Sequence, residues 1–147
     1  MRMRRLLPVV LALAAVSATP IALASSQAPR STLTAGSSSY GRILFDGRGF
    51  VLYAFTRDPR GKSVCAGACA RAWPPYLVKT RPQPGAGVKA RLLGTTRRAG
   101  GKLQVTYAGH ALYYYVGDRK ARQILCQNVP EFGGIWRVVR PGGGLVG

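Results

Sequence analysis

Leu52-Tyr53-Ala54-Phe55-Thr56-Arg57-Asp58 and Leu112-Tyr113-Tyr114-Tyr115-Val116-Gly117-Asp118 share one pattern, Leu-Tyr-x-aromatic-x-x-Asp, sixty positions apart. Gly49 and Gly109 lie four residues before each tyrosine. Downstream, Cys65 corresponds to Cys126 and Trp73 to Trp136, with small insertions absorbing the drift. Self-similarity of this kind marks a duplicated supersecondary unit. In a strand, residues two apart share a face. Tyr53 and Phe55 therefore point together, as do Tyr113 and Tyr115, while Leu52 and Leu112 face the other way. Each covered aromatic contributes ~1.5–3 kcal/mol, and the Asp that follows caps the N–H groups of the turn it opens. Core plus turn cap explains the whole motif. The competing reading is a cleft lined by two related Tyr/Asp sets, holding a sugar or another small polar ligand.

Working outward, Gly41 to Phe45 and Phe50 to Phe55 flank Asp46-Gly47-Arg48-Gly49, a hairpin signal. Asp58-Pro59-Arg60-Gly61 ends that strand as a type I turn. A short helix is expected over Val64 to Ala72, with Ser63 as N-cap and Pro74-Pro75 as the stop. The second half offers strands at Leu92 to Arg98, Lys102 to Tyr107, Ala111 to Val116 and Ile135 to Val139, with a loop from Gly117 to Gly134. The expected class is mainly β, a small α+β domain of two duplicated antiparallel hairpin units with one short helix. The units span about 40–78 and 92–139 within a domain over 40–147, joined by a Pro/Gly/Lys linker.

The N-terminus reads as a targeting segment. A basic Met1 to Arg5, an apolar Leu6 to Val16 and a small-x-small Ala22-Leu23-Ala24 predict a secretory signal peptide over 1–24, cleaved before Ser25. The apolar run is shorter than the ~20 residues a spanning helix needs, and no cysteine near the cleavage site could take a lipid. The chain is thus expected to be exported, in the secreted, periplasmic or cell-wall space, without a lipid anchor. Residues 25–39, rich in Ser and Thr, are expected to be a flexible tether.

The chain carries 22 Lys and Arg against four acids, for a formal net charge of +18. Export makes nucleic acid an unsuitable partner, and anionic lipid headgroups or acidic envelope polymers are the available polyanions. Arginine outnumbers lysine and the cations are scattered, which also fits a compositional bias.

Three cysteines in an exported chain suggest one disulfide and one thiol. Cys65–Cys69, or a bridge from that segment to Cys126, remain open from the residues alone. At regular helical spacing, i,i+4 side chains are too far apart to bridge, so a Cys65–Cys69 bond requires an irregular turn, which Gly67 permits. A further reading takes Cys65 and Cys69 as soft Cu(I) ligands with His110 as a third, the arrangement of a thiol-redox or copper protein. Motifs for zinc proteases, serine hydrolases, phosphate loops and haem attachment are missing from the sequence. With one His and four carboxylates, a general acid/base pair would need Asp58 and Asp118, which the turns already employ.

The combination Leu52 to Asp58, Gly61 to Cys69 and Ala72 to Pro75 resembles the first unit of a bacterial secreted-repeat family. Members of that family are often labelled predicted lipoproteins with a Yx(FWY)xxD motif. Gly94 to Arg97, Val105 to Gly109, Leu112 to Asp118 and Gly133 to Val139 resemble its second unit. The resemblance covers Tyr40 to Val139 and implies an exported, envelope-associated protein with no established catalytic residues. It also favours Cys65–Cys69 as the disulfide. The chain departs from the lipoprotein label at the cleavage site, and Cys126 to Phe132 replaces a Gly-rich loop. The expectation is a non-enzymatic envelope module that binds or scaffolds, needing no cofactor. Tyr53, Phe55, Asp58, Trp73, Tyr113, Tyr115, Asp118 and Trp136 are its defining residues.

Overall fold

A computed structural model describes residues 32–147. The expected signal peptide and residues 25–31 of the expected tether lie outside it. The described residues form a mainly β fold with nine short strands, one α-helix, α1 (Ala68–Ala72), and a 3-10 turn at Ala90–Leu92. The strands are β1 (Leu33–Ser38), β2 (Gly41–Asp46), β3 (Tyr53–Phe55), β4 (Leu77–Val78), β5 (Leu93–Arg97), β6 (Leu103–Tyr107), β7 (His110–Ala111), β8 (Val129–Glu131) and β9 (Gly134–Val138). All pairings between them are antiparallel: β1 with β2, β3–β9–β8, and β4–β6–β5 with β7 also on β6.

The period-2 alternation operates as expected. Tyr53, Phe55 and Tyr113 enter one apolar cluster with Ile43, Phe45, Trp73, Trp136 and Val138. Leu52, Ala54 and Leu112 enter a second with Leu33, Leu44, Val105 and Val139. Both faces of this strand are therefore covered, and Val51 to Phe55 are all buried.

The two halves are interlocked rather than placed side by side. β3 pairs with β9, setting Tyr53 against Val138 and Phe55 against Trp136. Conversely, Tyr114 N–H donates to the Pro74 carbonyl at 2.8 Å and Val116 N–H to the Ala72 carbonyl at 3.1 Å. Each half's Tyr segment thus lies along the other half's Trp segment. Tyr53 and Tyr113 meet between them and exchange both backbone N–H···O bonds at 2.9 Å.

Several expectations need correction. Residues 33–38 of the expected tether form β1, because Leu33 is fully buried and the 83–86 segment of the expected linker bonds along it. The Asp46–Gly49 turn exists, with a Phe45–Val51 bridge, but β3 then leaves β2 for β9. The helix starts at Ala68 rather than Val64. Its N-cap is Gly67 at φ 57°, and Ser63 caps nothing. The expected strand over Ala111 to Val116 is regular only at His110–Ala111, since Pro74 and Pro75 opposite it supply carbonyls but no N–H. The expected 117–134 loop contains β8. It turns into β9 through Phe132 and Gly133, both at positive φ, the geometry of a tight hairpin turn.

Candidate functional site

All eight motif residues converge where the halves interlock. Trp73 and Trp136 stack with ring centroids 3.9 Å apart and 3° between planes. Phe55 stacks on the outer face of Trp136 at 4.3 Å, and Tyr115 tilts against Trp73 at 4.8 Å. The edges are closed by Tyr53 against Trp73 and Tyr113 against Trp136, T-shaped at 5.2 and 5.1 Å. Each Trp therefore meets the first tyrosine of its own copy edge-on and the second aromatic of the other copy in its stack. Pairs of this type contribute ~0.5–1.5 kcal/mol beyond their burial.

The acids follow the same exchange. Tyr53 hydroxyl donates to Asp118 Oδ2 at 2.7 Å, and Tyr113 hydroxyl donates to Asp58 Oδ2 at 2.6 Å. The second oxygen of each carboxylate caps its own loop: Val64 N–H reaches Asp58 Oδ1 at 2.7 Å, and Leu125 N–H reaches Asp118 Oδ1 at 3.0 Å. Burial raises both carboxyls above the ordinary aspartate range, opposed chiefly by the phenol hydrogen bonds. It also pushes the Tyr53 and Tyr113 phenols well up. Ser63 shares a 2.6 Å bond with the Tyr113 hydroxyl. Since that phenol's one proton goes to Asp58, Ser63 is the donor, and Ser63 in turn accepts from Arg98.

All eight side chains are buried or half-buried, with Tyr115 at the edge of the lattice. Three surface concavities are lined by other residues. The burial and the capped loop N–H groups of these residues are those of core and turn cap. One donor in the lattice is unmatched: Trp73 Nε1 donates to Glu131 Oε2 at 2.7 Å, while buried Trp136 Nε1 has no partner.

Cys65 and Cys69 form a disulfide with Cα atoms 5.3 Å apart, the irregular turn at Gly67 making that approach possible. Bridged sulfurs have no thiolate to offer Cu(I). Cys126 is a half-buried free thiol, raised chiefly by burial. It is the counterpart of Cys65, so no bridge ties the halves together. The pKa of His110 is lowered by burial and by Arg60. Among the described residues no group of three or more His, Cys, Asp or Glu is placed to hold a metal ion.

Residues not singled out from sequence complete the network. Asp46 is buried and accepts from Arg48 N–H, Phe50 N–H, the Arg48 side chain and the Tyr114 hydroxyl. Its Asp-Gly turn was legible; the Tyr114 contact, 68 positions away, was not. Buried Gln104 joins Arg98 to the Leu112 carbonyl. Lys79, Arg97 and Lys102 line one concavity of about 540 Å³. Their spacing in the chain gives no hint of this.

A family described as a secreted repeat of unknown function matches residues 34–76 and 94–140. The chain belongs to this family. Its two matches coincide with the two interlocked halves, and the first begins inside β1 rather than after the expected tether. No curated protein and no solved structure matches the chain. No helix among the described residues is long and apolar enough to cross a membrane. A secreted-repeat family fits an exported protein.

Proposed function

We propose that this secreted repeat is a non-enzymatic envelope module that adheres to anionic envelope polymers through its surface charge. One observation carries the reading: every carboxylate side chain already has a hydrogen-bond partner within the chain, although Glu131 is exposed and Asp58 half-buried. Asp58 and Asp118 cap loops and hold the exchanged tyrosines. Asp46 organises its turn, and Glu131 accepts from Trp73. The one ion pair among the described residues is Arg48–Asp46. The net charge of +18, or +15 once Arg2, Arg4 and Arg5 leave with the expected signal peptide (18 − 3), makes a field that attracts polyanions and is screened by salt. The carboxylates that acid/base catalysis would need already have structural partners, which supports a binding role.

The test is co-sedimentation with isolated envelope polymer and with neutral polysaccharide at rising salt. Retention on the anionic material alone, abolished by salt, is the expected outcome. Equal retention on both, or none at low salt, would sink the reading.

A further inference from the structure

The cations are not evenly useful, because the sheet concentrates some of them over a concave surface. Two concavities, of about 710 and 540 Å³, adjoin across the β4–β6–β5 sheet and share Leu103 as a lining residue. The register explains how this arises. Leu103 on β6 lies opposite Val78 on β4 and Arg97 on β5, and directly opposed residues share a sheet face. Lys79 follows Val78 and Lys102 precedes Leu103, so both reach the same end of the ladder. Arg81 lines the adjoining concavity. None of the four acids lines either one.

We infer that this trough is a docking site for an extended phosphate-bearing polymer, contacted by Lys79, Arg97 and Lys102; the inference rests on the polyanion reading above. Charge complementarity selects an anion. Arg97 Nη1 donates to the Gly101 carbonyl at 2.9 Å, which holds the guanidinium at the turn with its remaining donors free. A fixed guanidinium fork suits phosphate oxygens. The spacing suits a chain. β4 and β5 flank β6, two strand spacings or about 10 Å apart, so a polymer of repeated phosphates can offer Lys79 and Arg97 a phosphate each. The recessed floor selects a strand over a bilayer, since a lipid surface is met by a flat or protruding face.

The experiment uses the full chain and labelled short linear inorganic polyphosphate, read by fluorescence anisotropy across a salt series. Orthophosphate, polyglutamate and phosphatidylglycerol vesicles run as comparison ligands. A Lys79→Gln/Arg97→Gln/Lys102→Gln variant is set against Arg71→Gln/Arg119→Gln/Lys120→Gln, which removes the same charge from exposed positions outside the trough. All six side chains are exposed, and thermal melts confirm that both variants fold.

The trough variant should bind polyphosphate roughly tenfold more weakly, with a log–log salt slope shallower by about two. The control should stay within about twofold of wild type, and orthophosphate should fail to compete. Equal losses in both variants would overturn the trough while leaving the charge reading intact. Tighter binding to the vesicles or to polyglutamate, indifferent to the trough substitutions, would overturn it in favour of a lipid surface or a carboxylate polymer. If wild type bound none of these ligands in a salt-sensitive way, the underlying polyanion reading would fall too.

Discussion

Tyr53 donates its hydroxyl hydrogen bond to Asp118, 65 positions away, and not to Asp58, the acid of its own motif. Tyr113 does the reverse with Asp58. The backbones of the two tyrosines are joined by a reciprocal pair of hydrogen bonds, so the exchange is anchored at its centre. The repeated motif is therefore a device for holding two copies together, each copy completing the other.

Energetic coupling should follow the exchange. In double-mutant cycles, Tyr53→Phe with Asp118→Asn is expected to show an interaction energy of about 1–3 kcal/mol. Tyr53→Phe with Asp58→Asn should be additive to within about 0.5 kcal/mol. Urea denaturation measures both cycles. Coupling within a motif, rather than across motifs, would contradict the finding.

The two stacked tryptophans should not be equally expensive to replace. Trp73→Phe deletes the N–H that Glu131 accepts, whereas Trp136→Phe deletes a buried donor without a partner. Both lose similar packing, so Trp73→Phe should cost about 1 kcal/mol more. Chemical denaturation of the two variants checks the order.

Asp118 should make acid more favourable to this fold than its aspartate content suggests. Its folded carboxyl titrates above the ordinary aspartate range, so the folded state keeps the proton to a higher pH than the unfolded chain. That contribution is complete below about pH 3.9 and is lost as pH rises through the folded value. Asp118→Asn should therefore cost more stability near pH ~3 than near pH ~7. A penalty that grows with pH would refute this.

Thiol accounting should find one reactive cysteine in the folded protein. Cys126 should alkylate slowly at neutral pH, since burial raises its thiol, and faster above its ordinary range of about 8.5. Cys65 and Cys69 should label only after reduction, and opening that short loop should cost about 2 kcal/mol. Mass spectrometry of the labelled peptides decides it. Labelling of Cys65 before reduction would contradict the disulfide.

Much of the fold was legible because strand alternation is a local signal. Leu52 against Tyr53 and Phe55 announced two covered faces, while Gly67 only permitted the break that a Cys65–Cys69 bond requires, within a stretch expected to be helical. The failures share a physical origin. β1 has one large apolar residue, Leu33, and forms because β2 and the 83–86 segment satisfy its backbone from both sides. β8 is closed by Phe132 at positive φ, a position where sequence rules look for Gly or Asn. In each case distant partners outweighed local preference.

From the chain of letters came the duplication, the aromatic and acidic residues that define it, the excess of positive charge and the mainly β class. All of these reside in composition and short-range periodicity. Tertiary structure alone decided that the copies exchange Tyr–Asp partners, that all four acids find hydrogen-bond partners within the fold, and that Lys79, Arg97 and Lys102 meet over one trough. These depend on contacts between residues far apart in sequence. Such contacts are set by how two half-folds can each bury a Trp and satisfy a carboxylate at once, a constraint that no local window contains.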